Sequence, residues 1–141
     1  MKSTQLIIIA ALIAGFAACK KEKDESSEQA KMLYGKWRES FTVLDTNGNN
    51  ILDNDQYIAH AVANVFTFVK GGSATGTCED VSCTTANFQW ALLNNNTELQ
   101  LINTSPAAPD TNVFKIYSMT ASKMVLSTGI TGTVWSIYEK K

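Results

Sequence analysis

The sequence predicts an all-β protein: a small antiparallel up-and-down barrel or sandwich of about eight strands, with one short helix near residues 54–64. Three observations carry this. Short runs alternate apolar and polar side chains from Gly35 to the C-terminus, the two-residue period of a half-buried strand. Turn-forming residues interrupt them at Gly71-Gly72, Asn94 to Asn96, Ala121-Ser122 and Gly129 to Gly132. One segment, DNDQYIAHAVANV, spaces its apolar residues differently.

The first strand is GKWRESFTVLD, with Trp37, Phe41 and Val43 expected on one face and Lys36, Arg38, Ser40 and Thr42 on the other. The exceptional segment follows. Ile58, Ala61, Val62 and Val65 fall at helical spacing, and Asp53 with Gln56 three residues later reads as a capping box. A helix over 54–64 would put His60 and Asn64 on its outer face, where a lone histidine is a surface residue. VFTFVK places Phe66 and Phe68 together, and SATGTC makes a further strand. NFQWALL aligns Phe88, Trp90 and Leu92; the Asn turn leads into TELQLIN, with Leu99 and Leu101 on one face. NVFKIYSM, KMVLST and TVWSIYEK complete the set.

Ahead of these strands the composition changes. Lys2 precedes an apolar run, Leu6 to Ala18, of thirteen uncharged residues. A helix needs about 20 apolar residues to cross a bilayer, so this run is too short to span one. A basic start, a short apolar core and small residues at its end describe a secretory signal. The run ends Phe16-Ala17-Ala18-Cys19, and the next six residues are all charged. This resembles the lipobox of bacterial lipoproteins, in which a peptidase cuts before a cysteine that receives lipid. The resemblance implies that residues 1–18 are removed and that Cys19 carries the lipid. Several acyl chains hold a protein on a membrane where one does so only marginally, so the rest of the chain needs no apolar segment of its own. Residues 19–31, with mixed charge and no strong apolar side chain, read as a flexible tether. Lys23-Asp24-Glu25 resembles a surface-export signal of the Bacteroidetes group, though such a charge run is also an ordinary solvated spacer. The expected location is the bacterial outer membrane, on its periplasmic or its surface face.

Removing residues 1–18 takes Lys2 away and leaves 11 basic against 13 acidic side chains, a balance unsuited to nucleic acid. Residues 32–141 are then one small domain. Cys78 and Cys83 remain, in an oxidising compartment if the signal operates. Four residues separate them, which fits two cysteines facing each other across a hairpin end, and a disulfide is expected. The nearest ligands for a metal at that pair are carboxylates, with the single histidine, His60, remote in sequence.

DTNGNNILDNDQ resembles a calcium loop in part. Asp45, Asn47, Asn49 and Asp53 occupy its first, third, fifth and ninth positions. It departs at the sixth, Asn50 in place of glycine, and at the twelfth, where Gln56 cannot supply a bidentate carboxylate. A strand rather than a helix precedes it. The plainer reading is a turn at Asn47-Gly48, with calcium bound weakly if at all, and no other cofactor is expected. No Gly-x-Ser-x-Gly, phosphate-binding loop or dinucleotide fingerprint occurs, so the sequence points away from an enzyme.

Gly35-x-Trp37 at the start of the first strand resembles the lipocalin signature. The stretch from Met32 to Lys141 is similar to small lipocalin-like domains carried by Bacteroidetes lipoproteins. It shares their phenylalanine pair before a glycine turn (Phe66 and Phe68 before Gly71), Trp90-x-Leu92, Leu99-x-Leu101 after an Asn turn, and an aromatic closing strand, Trp135 to Tyr138. It departs in two places. Relatives often carry a cysteine before the phenylalanine strand, and lipocalins often pack a C-terminal arginine over the first tryptophan; this chain ends YEKK, and its arginine is Arg38. The resemblance implies a non-enzymatic protein holding a small apolar ligand, with Trp37, Phe66, Phe68, Trp90 and Leu101 lining core or cup. The alternative is a structural or protein-interaction domain whose aromatic residues fill the barrel.

Overall fold

Gly35–Leu44 (β1) is ten residues long, and that length organises the molecule. Both of its edges are paired along most of its course. The computed structural model describes residues 27–53, 56–105, 109–127 and 134–141. The Leu6–Ala18 run, Cys19, the charged residues after it and the turn at Gly129 to Gly132 lie outside them. After β1 come Gln56–Ala59 (β2), Asn64–Val69 (β3), Ser73–Cys78 (β4), Ala86–Leu93 (β5) and Glu98–Asn103 (β6), then Thr111–Met119 (β7), Lys123–Ser127 (β8) and Val134–Lys140 (β9). Sequential antiparallel pairing runs from β3 to β9, and β1 pairs with β3 on one side and β9 on the other. Eight strands therefore close into an up-and-down barrel, with β2 as an extra strand. All eight strands expected from the sequence are present, and closure selects the barrel over the sandwich.

The ninth strand replaces the expected helix. Residues 56–59 are extended and pair with Phe41 to Leu44, so β2 and β3 lie in succession along one edge of β1. The apolar spacing from Ile58 to Val65 is real, but unpaired hydrogen-bonding groups on β1 outweigh it: helix propensity is a weak prior that tertiary pairing overrides. Tyr57 then sits on the outer face against Phe41, ring centroids 6.0 Å apart.

β1 itself changes face midway. Its register against β9 slips between Glu39 and Phe41, leaving Ser40 as a bulge. One extra residue exchanges inside for outside. Trp37 and Glu39 therefore point into the barrel, whereas Phe41 and Val43, expected beside Trp37, point out. Outside, Val43 joins Val125, Trp135 and Ile137 in a second buried cluster, against which Phe41 and Leu52 pack.

Helix Glu28–Leu33 (α1) closes one end of the barrel. Residues 28–31, expected in the tether, form most of it. Ser27 caps it, its hydroxyl accepting from the Ala30 amide at 3.0 Å. Ala30 and Leu33 are fully buried with Trp37, Phe68, Trp90, Leu99 and Leu101. The Trp37 indole donates to the Leu33 carbonyl at 2.7 Å, so the indole N–H and a C-terminal carbonyl of α1 satisfy each other. Lys140 donates to the Met32 carbonyl at 2.8 Å, its ammonium 5.2 Å from the centroid of the Trp37 ring. Lysine thus stands over the first tryptophan where lipocalins often have arginine.

Candidate functional site

Opposite α1 the barrel is open. Two phenylalanines flank a residue without a side chain: Phe66 on β3 pairs with Gly76 on β4, and Phe88 on β5 comes over it from the other side. A Cβ built on Gly76 would lie 2.8 Å from Phe88 Cε2 and 3.0 Å from Phe66 Cε1. A lone glycine inside a strand often marks such a close approach. The rings, 5.9 Å apart, wall a solvent-open cavity of about 430 Å³. Thr77, Ser82 and Thr84 line it as well, and Asn64 stands at its rim.

The disulfide forms part of the same wall. Cys78, the last residue of β4, is bonded to Cys83 with Cα atoms 5.7 Å apart, within the usual range. Both cysteines line the cavity. The loop between them is tied down again through Glu79, which takes Arg38 Nε at 3.0 Å and an ion pair from Lys141. Those two cations hold its carboxyl below the usual glutamate range, Lys141 making the larger contribution. The amide of Ser82 donates to Asp80 at 2.9 Å and lowers that carboxyl too. The cup's lip is therefore a clamped hairpin end.

Beneath the rim the inner wall is polar, because the Ser40 bulge follows an inward Glu39. Glu39 is 5% exposed. Asn64 Nδ2 donates to its Oε2 at 2.7 Å, while His60 Nε2 lies 3.9 Å from its Oε1. Thr42 Oγ1 is 2.8 Å from the same His60 nitrogen. Hydroxyl, imidazole and carboxylate thus assemble, but not as a nucleophile, base and orienting group. Such a relay needs the two partners on different ring nitrogens, and here both meet Nε2. Next to them Tyr138, its ring 6.0 Å from that of Phe66, is buried. Burial pushes its phenol far above the usual value, with the Glu39 charge adding to the effect and a bond to Ser136 opposing it.

The sequence-predicted lining residues divide between core and cup. Phe66 lines the cavity. Trp37, Phe68, Trp90 and Leu101 are 0–4% exposed and belong to the packed half above α1. The barrel is thus filled at one end and hollow at the other. Asn64 and Glu39, which shape the hollow end, carry no motif: their inward direction depends on a bulge and on β2 displacing a helix. His60 is half-buried in that wall rather than on an outer helix face. Phe88 and Gly76 do leave a signal, the first in its alternation with Trp90, the second as an isolated strand glycine.

Asp45, Asn47, Asn49 and Asp53 come together in the loop after β1, though as a network of the loop's own bonds. Asp45 accepts the Gly48 amide at 2.7 Å and the Asn50 amide at 2.8 Å. Asn47 and Asn49 give their side-chain nitrogens to Asp53, at 3.2 and 2.7 Å. Asn50 holds a positive φ of 57°, which asparagine tolerates. Among the described residues no group of three or more His, Cys, Asp or Glu side chains is placed to hold a metal.

A closed eight-stranded barrel, plugged by a short helix below and open above, is the architecture of lipocalin-like proteins. The structure matches a crystal structure of a lipocalin-like protein from Bacteroides uniformis at TM-score 0.55 and 18% identity, over 78% of this chain and 99% of that one. It also matches an uncharacterized protein from Bacteroides eggerthii at TM-score 0.53 and 15% identity, over 77% and 99%. No family model matches the chain, and no curated protein does.

Proposed function

We propose that this chain is a lipid-anchored, non-enzymatic binding protein of the bacterial outer membrane, and that the open end of its barrel takes a small, largely apolar ligand. The observation that carries the proposal is the Phe66–Gly76–Phe88 cup. Its volume lies within the range of small-molecule sites, and the absence of a side chain at Gly76 lets both aromatic rings close down on the strand and wall it. The tightly packed half of the barrel supplies the rigid frame such a site needs. Anchoring rests on the lipobox-like Phe16-Ala17-Ala18-Cys19, which also sets the location. Whether the domain faces the periplasm or the exterior rests on Lys23-Asp24-Glu25 alone.

Native mass spectrometry of residues 20–141, purified without detergent and then extracted with organic solvent, tests the binding reading. A reproducible extra mass lost on extraction is expected and identifies the cargo. A bare mass from several hosts, unchanged by added apolar ligands, overturns it in favour of a protein-interaction domain. That second reading has its own support: Ile51, Tyr57, Ile58 and Val62 are 41–54% exposed on and around β2, whose outer edge has no partner strand among the described residues.

A further inference from the structure

A carboxylate buried in a barrel wall is costly unless something uses it. Glu39 is 5% exposed, and among the described residues its only ion-pair contact is with the His60 nitrogen, at 3.9 Å. Its hydrogen bond is to Asn64 Nδ2 at 2.7 Å. That bond orients a side chain of the cup. An ionised carboxylate only accepts, so Asn64 must present its nitrogen inward. The amide is planar, with oxygen on the opposite branch from nitrogen. Asn64 lines the cavity, and among the described residues no donor meets its Oδ1. Asn64 is exposed and lines the cavity together with Phe66 and Phe88, so the branch of its amide turned away from Glu39 offers the cup an acceptor.

We infer that the cup is specific for a flat ring molecule carrying an N–H or O–H donor at its edge, the molecule packing against the wall made by Phe66 and Phe88 while Asn64 Oδ1 accepts from its donor. Glu39 is a positioning residue: it acts through Asn64 by forbidding the flipped amide. This rests on the proposed binding role of the cup and adds the chemistry of what binds. A site built to bond a donor discriminates against an analogue that lacks it, because the acceptor is then left without a partner.

Indole and 1-methylindole differ by that one donor. Both are titrated into residues 20–141, with binding followed by calorimetry and by the Asn64 side-chain and Gly76 backbone signals in proton–nitrogen NMR spectra. Indole is expected to bind at least about fivefold more tightly, the value of one hydrogen bond, and to shift both signals. Asn64→Leu is expected to bring the ratio to about one by weakening indole alone. Glu39→Gln is expected to narrow it, since a glutamine can accept or donate and no longer dictates the Asn64 amide. A thermal melt on each variant confirms that it is folded. Equal binding of the two compounds to the wild-type cup overturns the donor inference and leaves the binding role standing. A preference that survives Asn64→Leu overturns Asn64 as the acceptor. If neither compound nor any other flat apolar ring perturbs Gly76, the binding role falls and the inference with it.

Discussion

Gly76 decides whether the cup exists. Its Cβ position is already claimed by Phe88 and Phe66, at 2.8 and 3.0 Å, so Gly76→Ala must push a ring aside. Overpacking of this kind costs about 1–3 kcal/mol, and here the displaced ring moves toward the hollow. The expected outcome is a folded protein with a lower melting temperature and a smaller cup, read by calorimetry together with ligand titration; unchanged binding would remove Phe66 and Phe88 from the site. Glu79 makes a different prediction. Lys141 and Arg38 depress its folded pKa, so the stabilisation it brings is present above the unfolded value and is lost as pH falls through the folded one. The lip should hold at pH 5 and loosen only below the ordinary glutamate range, with a small effect because the group is solvated. Carboxyl-detected NMR titration checks this, and an ordinary glutamate titration would disprove the clamp. At this scale the sequence is an uneven guide. Phe66 is legible because a phenylalanine pair before a glycine turn places it on an inner face. Glu39 is not, because the bulge at Ser40 that makes it the last inward residue of its run has no local signature.

The elements were readable where the two-residue period stands alone. Turn residues such as Asn94 to Asn96, all three at positive φ, separate the strands, although β1 and β7 each carry a register shift that their alternation does not reveal. Where two periods overlap, the pattern misleads. Ile58, Ala61, Val62 and Val65 satisfy a helix, yet the chain from 56 to 59 has an open edge of β1 beside it, which sequence alone does not reveal. The loop joining these strands is more than a connection. Leu52 packs on the Val43–Trp135 cluster, and Tyr117, whose ring is 6.0 Å from that of Trp135, approaches the Leu52 amide. Asp45 organises the loop by accepting two of its amides. Asp45→Ala should therefore cost about 1 kcal/mol and weaken the near-ultraviolet circular dichroism of Trp135. Asp45→Asn, which keeps one acceptor, should recover part of both. A variant as stable as wild type, with its aromatic spectrum intact, would show that the outer cluster holds the loop without Asp45.

At the level of the whole molecule, filled and hollow halves follow from where the chain starts. α1 precedes β1 directly, so it must lie at the end from which β1 departs, and it plugs that end with Ala30 and Leu33. The mouth is then at the opposite end from the start of the domain. The seven residues between Cys19 and Ser27 let the two lie at most about 30 Å apart when fully extended. A lipid on Cys19 would thus tether the barrel by its plugged end and leave the mouth facing away from the bilayer, toward solvent or a partner protein. Cargo would exchange through water or by hand-over rather than from the membrane beneath. The anchor on which this orientation depends has a direct test. Cys19→Ala removes the acceptor sulfur while leaving the whole barrel untouched, so the variant should leave the membrane fraction, fold, and bind as residues 20–141 do. Its retention on the membrane would mean that another part of the chain holds it there, and that the mouth is free to face the lipid.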